Sequence, residues 1–349
     1  MLKENNILSD KFPVVTIVMP VYNEAGFIEK SLDSVFGQDY SPDKMEVIIV
    51  DGLSSDGTRG IVNEAILNVK SINSQLVAFL LDNPSYIVSI SLNLGLKQAR
   101  GEVIIRVDGH CEIAPNYVTR CVEALQATGA DCVGGLQKGV SEKLIGRAVA
   151  LAMSSPFGAV DARYRYGKKA GWVDTVYLGA YRKDVFEKIG SFDEELVRNQ
   201  DDEFNFRLIQ AGGKIWFDPS IRSVYYSRST LRGLRRQYFQ YGFWKIRVIQ
   251  KRRALPSWRQ VIPSLLVLGI VGSLILGFLT HKLPLALGVI IPYSIINLGV
   301  SFWKARENWK TVFILPIVFF VIHFSYGIGF LVGCWHWSRK RSISLDKQK

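Results

Sequence analysis

The sequence predicts an α/β domain of nucleotide-binding pattern followed by a membrane-embedded C-terminal part. Three observations predict it. Short β-branched apolar runs alternate with helical apolar spacing between residues 14 and 135, which is the signature of strands separated by crossover helices. Polar and acidic residues gather where these runs stop, at the strand edge where open α/β sheets bind ligands. Beyond residue 260 lie three apolar stretches of about 20 residues each, enough to span a bilayer.

The first strand is Val14–Met19, stopped by Pro20, with Asn23 placed to cap a helix whose apolar face is Phe27, Leu32, Val35 and Phe36. A second strand, Glu46–Val50, ends in Asp51-Gly-Leu-Ser-Ser-Asp-Gly-Thr58, and a helix from Arg59 to Lys70 follows. Asp56 reads either as a site residue or as the cap of that helix. Leu76–Leu81 is a third strand, and Ser91–Arg100 a helix closed by Gly101. Val103–Val107 is a buried strand bounded by glycines and ending in Asp108-Gly109-His110. A helix over 115–127 and a strand over 131–135 come next.

The turn at Asp108-Gly109-His110 has two readings. A carboxylate oxygen and an imidazole nitrogen two residues apart can hold a divalent cation, leaving positions open for phosphate oxygens. Alternatively, Asp-Gly is only a turn signal and His110 a surface residue.

Composition narrows the function classes. The 349 residues carry a net charge of +12, with basic clusters at Arg232–Arg236 and Lys245–Arg253 just before the apolar region. That placement suits an anionic membrane surface rather than nucleic acid. The four cysteines show neither metal-ligand spacing nor a disulfide framework, as expected of a reducing compartment. The N-terminus has no basic-then-apolar signal segment. Lacking Gly-x-Gly-x-x-Gly and a Walker lysine loop, the chain is not expected to be a dinucleotide dehydrogenase or a P-loop enzyme.

Pro20-Val-Tyr-Asn-Glu24, Val50–Thr58, the Asn93-to-Gly101 helix and Arg106-Val-Asp-Gly-His110 occur in an order that resembles family-2 glycosyltransferases, most of all the bacterial exopolysaccharide, succinoglycan-type glucosyltransferases. The resemblance covers about residues 12–250. It implies an A-type glycosyltransferase fold, a Rossmann-like nucleotide-sugar domain, with Pro20, Tyr22, Glu24 and Asp51 contacting the nucleoside. Asp51 would accept from the base N–H and Glu24 would lie near the ribose. Arg106 counts among the substrate-binding residues, and Asp108 and His110 would hold Mg2+ or Mn2+. The sequence departs from the usual pattern at Gly52, where the family has Asp, and at His110, where it has Asp or Glu.

Further on, Arg163–Lys169 is a basic aromatic segment, readable as a lid over pyrophosphate or as a solvated loop. By resemblance Trp172–Arg182 forms the acceptor side, where Gly179 would let backbone approach the sugar. Three acids, Asp201–Glu203, precede an apolar helical face. Their presence at a helix start has a plain dipole explanation, but the family's Glu-Asp pair appears here as Gln200-Asp201. Asp201 is therefore expected to be the general base. Asp202 and Glu203 stand beside it as supporting substrate-site residues, Asp202 also as the helix cap. Gln237 opens a stretch similar to the Gln/Arg/Trp acceptor motif of processive relatives, without the Arg before Trp244; the same stretch reads as an amphipathic interfacial helix.

The apolar spans are Val261–Thr280, Leu283–Trp303 and Val312–Trp335, with tryptophans near their ends. The expected organisation is a lead-in over 1–12, a transferase domain over 13–230, an interfacial segment over 231–258, a membrane region over 259–338 and a basic tail over 339–349. The expected protein is an inverting, metal-dependent hexosyltransferase moving sugar from a nucleotide-sugar, a UDP-sugar first, to a lipid-linked glycan at the inner membrane. Its catalytic domain would be cytoplasmic, and nucleic acid is not an expected partner. The alternatives are a catalytically dead membrane scaffold and a processive polysaccharide synthase. If all three spans cross, the tail Arg339–Arg341 falls on the side away from the basic clusters, against the positive-inside tendency.

Overall fold

The computed structural model describes residues 12–160, 162–255 and 257–346, with side chains as far as Arg339. The expected lead-in up to residue 11 and most of the basic tail's side chains lie outside the described residues. The chain forms two compact units interleaved in sequence, the first built from 1–138 and 166–225 and the second from 139–165 and 226–349.

The first unit carries one mixed sheet of nine strands: β1 Val15–Val21, β2 Met45–Asp51, β3 Val77–Asp82, β4 Val103–Arg106, β5 Cys111–Ile113, β6 Cys132–Val140, β7 Gly171–Val173, β8 Ala180–Arg182 and β9 Ile215–Tyr226. Their order is β3-β2-β1-β4-β8-β6-β9-β5, with β7 also on β9. β3, β2, β1 and β4 are parallel, and β8 joins β4 antiparallel. Helices α1 Ile28–Phe36, α2 Thr58–Ile72, α3 Val88–Gln98 and α4 Tyr117–Thr128 are the crossovers. The two central parallel strands, β1 and β2, are covered on both faces and buried at every position. Ile28, Leu32 and Val35 of α1, spaced one helical turn apart, seal one face. Burying each large side chain of this kind is worth about 1.5–3 kcal/mol. Glu46, buried in β2, is satisfied by its register partner Thr16 (2.7 Å) and by Arg100 Nε (2.7 Å).

Several expectations need correction. Pro20 does not end the first strand but sits inside it, opposite Val50. It is tolerated because its missing N–H faces β4, which has already ended at Arg106. Asn23 is not the cap of α1, whose N-cap is Phe27. Instead Asn23 takes a left-handed φ of 54° and ties two loops together, its N–H donating to Ser54 Oγ and its Oδ1 accepting from Ser55 N, both at 2.9 Å. The third helix is capped by Ala99, not Gly101. The short strands β5, β7 and β8 were not legible, because three residues carry no measurable period.

Two short helices, α5 Leu144–Met153 and α6 Pro156–Ala159, belong to the second unit, as does the 3₁₀ turn Arg163–Arg165. The first unit resumes with α7 Asp184–Ile189 and α8 Gln200–Gln210. The second unit continues with α9 Leu231–Arg252, α10 Ile262–Thr280, α11 Leu283–Leu287, α12 Ile290–Ala305 and α13 Leu315–Asp346. Among the described residues three segments are long and apolar enough to cross a membrane, Trp258–Thr280, Leu283–Ala305 and Leu315–Arg339.

Candidate active site

The site forms at the carboxyl end of β4. Val103 and Ile105 point into the core and Ile104 to the opposite face, so the alternation delivers Arg106 to the face shared with Tyr181 and Phe186. Arg106 Nε donates to Asp108 Oδ1 at 2.7 Å, while Arg106 Nη1 is buried with no hydrogen-bond partner. Burial opposes the guanidinium's charge, but the carboxylates of Asp108 and Asp201 outweigh it and keep it protonated. Burial also pushes Asp108 up, yet Arg106, His110 and the Tyr177 hydroxyl hold its carboxyl below the usual range. Asp201 behaves in the opposite sense: burial raises its carboxyl, Asp202 adds to the rise, and Arg106 opposes it only in part.

The ligand atoms of Asp108, His110 and Cys111 lie within 4.8 Å of one another. The donor set fits a hard divalent cation through the first two residues, a carboxylate and an imidazole. Cys111 fits less well, because burial pushes its thiol far up and its Sγ lies 2.6 Å from the Tyr177 hydroxyl. That hydroxyl also donates to Asp108 Oδ2 at 3.1 Å. Tyr177 was missed in the sequence; it lies in an irregular stretch, and no spacing connects it to Asp108. His110 Nδ1 sits 2.9 Å from Glu24 Oε1, an arrangement that would orient the ring for a ligand at its other nitrogen.

Asp201 is the second residue of α8, whose N-cap Asn199 takes a left-handed φ of 61°. Asp201 Oδ1 accepts from Asp202 N at 2.9 Å. The backbone amide of Asp202 is therefore satisfied by Asp201, and the residue at the N-cap position is Asn199. Glu203 is fully buried and bonds Arg207 Nε at 3.1 Å, one turn along. Asn93 fixes the loop ahead of this helix, bonding Phe192 O and Glu194 Oε1, both at 2.9 Å.

The nucleoside-side residues are more tightly engaged than the resemblance suggests. Asp51 is fully buried and accepts from Ser54 Oγ (2.5 Å) and Arg59 Nη1 (3.2 Å). Glu24 faces His110 rather than open space, and its N–H donates to Thr58 Oγ1 at 2.8 Å. Asp56 caps Thr58 N (3.1 Å) and also takes Ala25 N (3.0 Å). Tyr22 is 47% exposed, its ring 5.5 Å from that of Tyr86. Gly52 makes room for it: a Cβ there would stand 3.0 Å from the Tyr22 ring. At Gly179 a Cβ would stand 2.7 Å from the Tyr181 ring, so that glycine is required by Tyr181 whatever the acceptor does. Gln237 belongs to the second unit, where its Nε2 donates to Tyr241 at 2.9 Å.

Comparison with known proteins follows the same lines. The profile of glycosyl transferase family 2 matches residues 16–190. A succinoglycan biosynthesis protein, ExoA of Rhizobium meliloti (strain 1021), is 31% identical over 90% of this chain and 93% of its own. A dolichyl N-acetyl-alpha-D-glucosaminyl phosphate 3-beta-D-2,3-diacetamido-2,3-dideoxy-beta-D-glucuronosyltransferase of Methanococcus voltae is 27% identical over 91% of this chain and 96% of its own. Among solved structures, the Pyrobaculum calidifontis mannosyltransferase PcManGT, in complex with GDP-Man and Mn2+, superposes with a TM-score of 0.62 at 19% identity. That alignment covers 89% of this chain and 87% of the other, and it shows the A-type glycosyltransferase fold.

Proposed function

The chain belongs to glycosyl transferase family 2, and from that premise we propose that it is a membrane-anchored, inverting, metal-dependent hexosyltransferase. Its donor is a nucleotide-sugar, a UDP-sugar first. Its acceptor is a lipid-linked glycan of exopolysaccharide or cell-surface polysaccharide synthesis, reached from the cytoplasmic face of the inner membrane. The observation that carries this reading is one buried guanidinium, Arg106, felt by both Asp108 and Asp201, with one of its nitrogens unpartnered. A pair of carboxylates held in opposite senses around one cation separates a binding role from a proton-accepting role.

In this reading Asp108 and His110 hold Mg2+ or Mn2+, which when bound offsets the charge building on the departing diphosphate. Arg106 turns its free nitrogen toward the same phosphates. Asp201 takes the proton of the acceptor hydroxyl as that oxygen attacks the anomeric carbon from the side opposite the leaving group. One enzymic carboxylate suffices for this step, and configuration inverts. The relatives named as a dolichyl-linked transferase and a succinoglycan biosynthesis protein support the acceptor class. The test is transfer from radiolabelled nucleotide-sugars to extracted lipid acceptors on membranes. Turnover of none of them, with or without acceptor, sinks the enzyme reading in favour of a scaffold, and products longer than one added sugar favour a processive synthase.

A further inference from the structure

The second unit contains a helix pair whose chemistry conflicts with a third membrane crossing. α13 is packed on α9 through glycines: a Cβ at Gly329 would stand 2.1 Å from Phe239 O, one at Gly333 2.7 Å from Phe243 O, and one at Gly242 2.2 Å from Tyr326 O. The ring contacts continue in step, with Phe243 5.6 Å and Trp244 5.4 Å from Trp337 and Arg247 4.9 Å above the Trp337 ring. Phe239 meets Gly329, Phe243 meets Gly333 and Arg247 meets Trp337, so the two helices run parallel and side by side.

α9 is not a helix that hydrocarbon tolerates. It carries Arg232, Arg235, Arg236, Lys245, Arg247, Lys251 and Arg252, and the first three of these are exposed. If Leu315–Arg339 crossed the bilayer, the parallel pairing would carry these cations through its depth beside it, where charged groups are costly. The remaining surface of α13 fits a helix lying flat. Half of its apolar window is buried, against 6% for Leu283–Ala305. Its large exposed apolar side chains, Ile317, Phe320, Val332 and Trp335, keep to one stripe at helical spacing.

We propose that α13 does not cross the membrane but lies along its headgroup layer beside α9, so that the crossing part is the hairpin Trp258–Ala305 and the C-terminus returns to the side on which α9 lies. The exposed arginines of α9 then meet anionic lipid, and the apolar stripe of α13 enters the upper acyl region. With two crossings, Arg306, Lys310 and the tail Arg339–Arg341 all fall on the side of the other basic clusters, which the positive-inside tendency favours. The inference rests on the membrane-anchored reading above, and the experiment below separates the two.

The experiment labels single cysteines with a membrane-impermeant maleimide in right-side-out and inverted vesicles of full-length protein. The background is Cys334→Ala, because the other three cysteines are buried. Arg232→Cys reports α9, Lys282→Cys the turn between the first two spans, and Lys349→Cys the C-terminus. The expected result is that Arg232→Cys and Lys349→Cys label in the same vesicle orientation and Lys282→Cys only in the opposite one. Labelling of Lys349→Cys together with Lys282→Cys, or of Lys349→Cys in both orientations, overturns the proposal. Labelling of Lys282→Cys with Arg232→Cys shows instead that the hairpin does not cross, and the anchoring itself fails. Arg232 and Lys282 are both exposed, and retention of the background's melting temperature by each variant excludes misfolding as the source of any of these outcomes.

Discussion

The loops after β1 and β2 and the turn after β4 lie at the same edge of one sheet, yet their polar groups are in different conditions. At the first place Asp51, Asn23 and Asp56 are each bound by two or more neighbours from these two loops and the start of α2. After β4 the polar groups are concentrated but not exhausted: Arg106 keeps an unpartnered nitrogen, and burial holds Asp201 above its ordinary range. Saturated hydrogen bonding builds a rigid frame, whereas unspent capacity in a buried place is kept for a ligand. The contrast predicts that substitutions in the first region cost mainly stability, whereas those in the second cost turnover beyond any loss of stability.

The largest effect should come from Asp108→Ala, which removes the carboxylate of the cation site and should abolish metal-dependent transfer; it also leaves the buried Arg106 guanidinium without its ion-pair partner, so about 3–5 kcal/mol of stability should go with it. His110→Asp should retain part of the rate, since it restores the usual family ligand. Unchanged rate and unchanged metal dependence in His110→Ala would exclude His110 as a ligand. Next, Asp201→Asn should lower turnover by about 10²–10⁴-fold with donor binding intact. Asp202→Asn should stay within a few-fold of the parent and mainly lower the melting temperature, since its charge stands in the first turn of α8, where it acts on the helix dipole. An inactive but folded Asp202→Asn would move the base by one residue. In the first region, Asp51→Asn should cost about 1–3 kcal/mol in denaturant unfolding, the typical penalty for a buried acceptor that loses its charged bonds. A larger loss of rate than of stability there would dissolve the contrast.

The smallest expected effect is on pH dependence. Asp201 must be ionised to accept a proton, and burial raises its pKa. The acid limb of kcat/KM should therefore lie above the ordinary Asp value of about 3.9. Its sign in stability is opposite to that of Asp108. With its folded pKa raised, Asp201 contributes most below the unfolded value and loses that contribution as pH rises through the folded one. Asp108, held low, contributes above its unfolded value and loses it as pH falls.

The parallel half of the sheet was readable because β-branched runs and glycine-bounded turns announce buried strands, and Asp108 and His110 were readable because the turn puts them two residues apart. Tyr177 and Cys111 were hidden, since the sheet brings them together across 66 positions. Glu24 was read as a nucleoside contact, and its bond to His110, 86 residues away, was not visible in the sequence. Local pattern reports on neighbours in the chain, and these bonds are made by strand order. Gly52 and Gly179 show the same limit: each glycine was visible, but the ring that needs the space was not.

The interleaving of the two units has a consequence for how the polypeptide is made. α5 and α6 are synthesised in the middle of the first unit, yet Phe157 O is bound by His323 and Ser154 O by Lys304, both far downstream. At about 5–20 residues per second these helices wait on the order of ten seconds or more for their partners. During that interval the apolar helix Leu144–Met153 is uncovered, while residues 166–225 must still emerge to complete the sheet. Neither unit can finish before the ribosome has passed well into the other, so a nascent chain stalled near residue 225 should expose that helix to whatever holds apolar segments at the tunnel exit.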